Sequence, residues 1–149
     1  MITDLGHTAL RVRDLDQALA FYACLGLREA FRLHDDDGTL LLVYVHVGGD
    51  RFLELFPAGA SQGGASQGEA RGGALGEASG GSFMHLCLLC DDLVSLVERL
   101  RVDGVAIERE VTTGLDHNLQ AWIRDPDGNA IELMQLVEAS PQRRVARRG

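Results

Sequence analysis

A chain of 149 residues, 46% hydrophobic and 24% charged, suits one ordinary globular domain with a buried core and excludes a fibrous or disordered protein. Its net charge of −8, from 22 acidic and 14 basic residues, argues against nucleic acid or an anionic membrane as the main partner. The N-terminal segment has neither a basic nor an apolar signal region, and no run reaches membrane-spanning length, so a cytoplasmic protein is expected.

Residues 6–12 alternate in polarity and predict a strand, with His7, Ala9 and Arg11 on one face and Thr8, Leu10 and Val12 on the other. Asp14 caps a helix in which Leu15, Ala18, Leu19 and Tyr22 recur at helical spacing, and Gly26 ends it. Three strands are predicted next, over residues 28–34, 40–47 and 51–56, divided by the turn sequences Asp35-Asp36-Asp37-Gly38 and Gly48-Gly49-Asp50. Residues 5–56 thus form a first β-α-β-β-β unit. Residues 57–82 hold nine of the 18 glycines, with Leu75 as the sole large apolar side chain, and are expected to be a flexible linker or a loop over a site.

Residues 83–137 repeat the order. A strand is predicted over 83–90, with His85, Cys87 and Leu89 on one face. A helix follows, opening at Asp92, turning Leu93, Leu96, Val97 and Leu100 inward and stopping at Gly104. Strands near 106–111, 118–124 and 130–137 complete the unit. The last two flank Asp125-Pro126-Asp127-Gly128, where Pro fixes φ and Gly supplies a positive one. The basic tail, residues 138–149 with Arg143, Arg144, Arg147 and Arg148, is expected to be a frayed, solvated end. Cys24, Cys87 and Cys90 indicate no disulfide framework. On a strand Cys87 and Cys90 point to opposite faces, so they are expected to be buried small hydrophobes.

The two units keep one register. His7 and His85, Leu10 and Leu88, Asp14 and Asp92, Gly26 and Gly104, and Glu54 and Glu132 are each 78 apart, for example 132 − 54 = 78. Glu132 lies between Ile131 and Leu133, and Glu54 between Leu53 and Leu55; ionised carboxylates among aliphatic side chains need a partner. Two His and two Glu, brought around one cleft by a pseudo-twofold pairing of the units, would suit a divalent metal of borderline hardness and leave positions open for water or substrate. Taken singly, each His reads as surface or core and each Glu as a solvated strand residue. The equal spacing of the two pairs favours a shared site, with a small-molecule substrate.

The motifs Gly6-His7-Thr8-Ala9-Leu10-Arg11-Val12-Arg13-Asp14-Leu15, Phe52-Leu53-Glu54-Leu55-Phe56, Met84-His85-Leu86-Cys87-Leu88 and Asp125-Pro126-Asp127-Gly128-Asn129-Ala130-Ile131-Glu132-Leu133 resemble those of the vicinal oxygen chelate superfamily over nearly the whole chain. The resemblance implies an α+β fold of two tandem βαβββ units forming a U-shaped eight-stranded cleft, one domain spanning residues 1–149, and a cleft within one chain or across a homodimer. The ligand set resembles that of bacterial glyoxalase I, a lyase that isomerises the hemithioacetal of an α-ketoaldehyde and a thiol to an α-hydroxyacyl thioester by enediolate proton transfer. That likeness implies His7, Glu54, His85 and Glu132 as metal ligands, with Glu132 as base and Glu54 as second carboxylate. The metal implied is Ni2+ or Zn2+, with Fe2+, Mn2+ and Co2+ as alternatives. Arg11 matches a family Arg that pairs with a carboxylate of glutathione, whereas the family's Asn four residues past the first Glu is Ala58 here. Strand alternation would put Asp116, Asn118, Gln120 and Trp122 on one face, selecting substrate if it looks into the cleft and forming a solvated edge if it looks out. Two other readings compete: another metalloenzyme of the superfamily, an extradiol dioxygenase or epimerase, and a non-catalytic binding module like the bleomycin-sequestering proteins.

Overall fold

The computed structural model describes residues 1–59 and 83–146. The chain divides into two compact units. The first holds β1 (His7–Val12), α1 (Leu15–Cys24), β2 (Arg28–His34), β3 (Leu40–Gly48) and β4 (Arg51–Pro57). The second holds β5 (Leu86–Leu89), α2 (Leu93–Val102), β6 (Ile107–Thr113), β7 (Leu119–Arg124), β8 (Ala130–Gln135) and α3 (Pro141–Ala146).

Each unit builds one four-stranded mixed sheet, ordered β1-β4-β3-β2 in the first and β5-β8-β7-β6 in the second. The first and fourth strands run parallel and the rest antiparallel. Parallel neighbours need a crossover, and the helix of each unit supplies it. Asp14 and Asp92 both adopt extended backbone, and their carboxylates accept the N–H of Gln17 and Ser95, a donor that the first turn leaves unpaired. Past the helices Gly26 and Gly104 take φ of 83° and 82°, the left-handed region closed to most side chains. One face of each sheet is apolar and buried under its helix. Leu10, Val12, Val43, Val45, Leu53 and Leu55 form that layer in the first unit with Ala18 and Tyr22 of α1. Ala121, Ile123, Ile131 and Leu133 form it in the second with Leu93, Leu96, Val97 and Leu100 of α2.

The repeat read from the sequence persists in the hydrogen-bond register. Ala9 stands opposite Glu54 and Cys87 opposite Glu132; Tyr44 opposes Glu54 and Trp122 opposes Glu132. Even an irregularity is duplicated, since β2 shifts register between Glu29 and Phe31 and β6 between Ile107 and Arg109, again 78 apart. The turn at Asp125 is the predicted one. Gly128 has φ of 89°, and the Asp125 carboxylate accepts the N–H groups of Asp127 and Asn129.

Two expectations are corrected. Residues 141–146 of the tail are not frayed but helical, and Ser140 ahead of them is buried. They are tied back by Gln142, which donates to Asp116 and accepts from Asn118. Cys87 is exposed rather than buried, because its strand face is the one turned away from α2, and only Cys90 is partly covered. Most of the Gly-rich segment, residues 60–82, and Arg147 and Arg148 lie outside the described residues.

Candidate metal centre

The geometry follows from strand parity. On β1, His7 and Ala9 lie two apart and so share a face; Glu54 on the parallel neighbour stands beside Ala9, which sets it diagonal to His7. The Nε2 of His7 lies 3.4 Å from Oε2 of Glu54. In the second unit the same diagonal sets Nε2 of His85 3.1 Å from Oε2 of Glu132. Both pairs occupy the sheet face opposite the helix, yet their carboxylates are nearly covered: Glu54 is 7% and Glu132 5% exposed. The imidazoles are more open, with 52% and 31% of their side-chain surface exposed.

Each carboxylate has a further neighbour, and here the units differ. The Tyr44 hydroxyl hydrogen-bonds Glu54, and that bond, with burial, pushes the phenol pKa up. Phe31 stacks on Tyr44, with centroids 4.4 Å apart and planes 20° from parallel, and Phe52 meets both rings edge-on. In the second unit the place of Ala9 is taken by Cys87. Although Cys87 is exposed as a residue, desolvation beside the sheet, then the charge and hydrogen bond of Glu132, push its thiol up to about 12. Trp122 meets the His85 ring edge-on, centroids 4.8 Å apart, and Arg109 lies over the indole at 5.6 Å.

The other sequence-selected residues separate. Arg11 is exposed on the His7 face of β1, across from Phe56. Trp122 and Gln120 share the Glu132 face through their pairing with Glu132 and Met134. Gln120 is engaged within its own unit: its amide donates to Asp116 and lies where a Cβ on Gly114 would fall, at 2.4 to 2.7 Å. Asn118 is a correction, because it belongs to no strand and is fully buried. Its amide donates to Asp116 and Gln142, and its oxygen accepts the Val137 N–H, so it clamps the β6–β7 loop and the tail and offers a substrate no atom. Alternation fails because His117, with φ of 67°, turns the chain before β7 begins. Tyr44 and Arg109 were missed. Tyr44 stands 78 before Trp122 and was open to the repeat arithmetic, whereas Arg109 reaches its face only through the bulge.

Neutral imidazole and carboxylate together suit divalent zinc, nickel or iron, and two nearly covered carboxylates gain from a cation that neutralises them. The residues present fit such a group. Among the described residues no three His, Cys, Asp or Glu side chains come together to hold a metal, so each unit offers a pair rather than a complete site.

A lactoylglutathione lyase of Pseudomonas aeruginosa is 29% identical over 148 residues, covering 87% of this chain and 80% of that protein. A probable lactoylglutathione lyase of Vibrio parahaemolyticus is 29% identical over 138 residues, covering 90% and 91%. The crystal structure of a lactoylglutathione lyase from Agrobacterium tumefaciens matches with a TM-score of 0.62 and 25% identity, over 90% of this chain and 94% of that one. TnmS3, an antibiotic binding protein from Streptomyces sp. CB03234, matches with 0.66 and 25%, over 91% and 98%. A model of the glyoxalase/bleomycin resistance protein/dioxygenase superfamily matches residues 4–133. With its two βαβββ sheets and a match over most of its length, the chain belongs to that superfamily, the vicinal oxygen chelate proteins.

Proposed function

We propose that the protein is a divalent-metal-dependent lyase of the glyoxalase I type, converting an α-ketoaldehyde–thiol hemithioacetal to an α-hydroxyacyl thioester. The carrying observation is the duplicated diagonal: a His and a nearly buried Glu within 3.4 Å in one unit and 3.1 Å in the other, at equivalent register. His7, Glu54, His85 and Glu132 would together hold the ion, and Ni2+ or Zn2+ fits the donor set best. When bound, that ion supplies Lewis-acid polarisation of the substrate's two neighbouring oxygens.

Glu132 is the residue we assign to carry the proton between adjacent carbons, as general base and then acid. The unequal neighbours of the two carboxylates support this. Glu54 is bound by a phenol, a good donor, whereas Glu132 has beside it a thiol, a weak one, and is the easier of the two to move. Arg11, Gln120 and Trp122 would contact substrate, and Asn118 would act at a distance by fixing the β6–β7 loop that leads into Gln120 on β7. Three free cysteines accord with a reducing, cytoplasmic location. We assign a homodimer as the assembly, with the cleft either within one chain or shared between subunits.

The test is metal content of protein purified without chelator, then thioester formation from methylglyoxal with glutathione and with other small thiols. Stoichiometric metal with thioester product is expected. Metal without product would retain the centre and move the reaction to another α-oxygenated substrate. In the His85→Ala/Glu132→Ala double variant the metal should be lost while the fold is kept; stoichiometric metal there would remove the ligand assignment. The aromatic cluster of Phe31, Tyr44 and Phe52 beside Glu54 favours one second reading, a binding protein for a flat small molecule. Absence of metal under supplementation would select it.

A further inference from the structure

The pairing register gives the two carboxylates different neighbours. Across the first sheet one row reads Ala9, Glu54, Tyr44 and Phe31; the equivalent row of the second reads Cys87, Glu132, Trp122 and Arg109. Ala9 ends in a methyl group, so within its row Glu54 accepts from one hydroxyl, that of Tyr44. Trp122 meets the ring of His85 and has no hydroxyl, so within its row Glu132 is left with the weaker donor, the Cys87 thiol.

The Tyr44 ring is held from two sides. The bulge in β2 sets Phe31 opposite it as a stacked partner, and Phe52 meets it edge-on with centroids 5.7 Å apart. Rings on a face and an edge oppose rotation about both side-chain torsions, which keeps the hydroxyl aimed at the carboxylate. In the second unit Arg109 stands at the place of Phe31 and Trp122 at that of Tyr44. The repeat therefore kept the two His–Glu pairs and changed what surrounds each Glu.

We propose that Tyr44, clamped by Phe31, is a positioning residue that holds Glu54 in one orientation as a standing ligand and so leaves the proton transfer to Glu132. The proposal rests on the isomerase reading and adds what divides the work between two carboxylates that the repeat makes equivalent. Hydrogen bonds to a ligating side chain fix its orientation, and their loss costs roughly ten- to a hundredfold in metal affinity.

Affinity is read by competition between the protein and a chromophoric chelator for Zn2+, a measurement that needs no turnover. Tyr44→Phe keeps both aromatic contacts and loses only the hydroxyl; it should bind Zn2+ about tenfold more weakly. Phe31→Leu, at a position 45% exposed, keeps the hydroxyl but loosens the ring, and should cost about threefold. Cys87→Ala removes the weaker donor and should cost no more than about twofold. Wild-type affinity in Tyr44→Phe overturns the proposal, as does a loss in Cys87→Ala as large as that in Tyr44→Phe.

Thioester formation supplies a second arm, in which a merely structural residue could only lower activity. Glu132→Gln should be inactive, because an amide takes up no proton. Adding Tyr44→Phe should raise its activity about tenfold, since the released Glu54 then serves as the base. A double variant as inactive as Glu132→Gln overturns the division of work. A wild-type protein that binds Zn2+ and forms no thioester removes the isomerase reading instead, while a tenfold loss of affinity in Tyr44→Phe still assigns Tyr44 to holding Glu54.

Discussion

Asn118 binds three partners through one buried amide, and its removal strands one of them, the Val137 N–H, whereas Asp116 keeps Gln120 and Gln142. Asn118→Ala should therefore cost about 2 kcal/mol, the penalty for leaving a covered polar group unpaired. Urea unfolding should show it as a lower midpoint, while KM measured well below the new transition stays near the wild-type value; a stable variant with raised KM would return Asn118 to the substrate site. Asp116 adds a pH dependence. Hydrogen bonds from Asn118 first, and then from Gln142, hold its carboxyl below the ordinary range. A depressed folded pKa stabilises above the unfolded value of about 3.9 and is lost as pH falls through the folded one. The stability gap between wild type and Asp116→Asn should thus be full at neutral pH and shrink below about pH 4. Neither role was legible in the sequence, because both depend on a tail helix contacting a loop 26 residues earlier (142 − 116).

At the scale of elements, the sequence states its helices plainly and its sheet irregularities not at all. Asp14 and Asp92 as caps, Gly26 and Gly104 as stops and the apolar spacing between them are local signals, and the helices run over equivalent residues, Leu15–Cys24 and Leu93–Val102. The bulges leave no such mark. Glu29-Ala30-Phe31 and Ile107-Glu108-Arg109 are ordinary strand sequences, and the shift arises from pairing with a distant neighbour. The two stops give a clean comparison, because a Cβ at either would meet nothing within 4 Å and only the positive φ opposes it. Gly26→Ala and Gly104→Ala should each destabilise by about 1 kcal/mol, and by similar amounts. A much larger loss at one would mean that its neighbours close in more tightly than this geometry has them.

For the whole molecule, the proposed centre rests on the one His–Glu pair that each unit carries. A pair of side chains is a poor cage for a divalent ion, whereas two such pairs supply the four protein ligands that these metals commonly take. The duplication was legible because spacing survives in sequence; how the halves are brought together is a matter of assembly, which spacing does not record. Two consequences follow from a shared centre. Metal content should be one ion per chain, and His7→Ala alone should abolish it, whereas two ions per chain would mean that each pair binds by itself. The homodimer assignment is sharper still. If the cleft joins the first unit of one chain to the second unit of its partner, co-refolding His7→Ala with His85→Ala chains makes about half the dimers mixed, each with one intact centre and one doubly damaged. Activity should then return to about a quarter of the wild-type level from two inactive parents. If both units of one chain form the cleft, every centre carries one lesion whatever the mixture, and activity stays at the level of the separate variants.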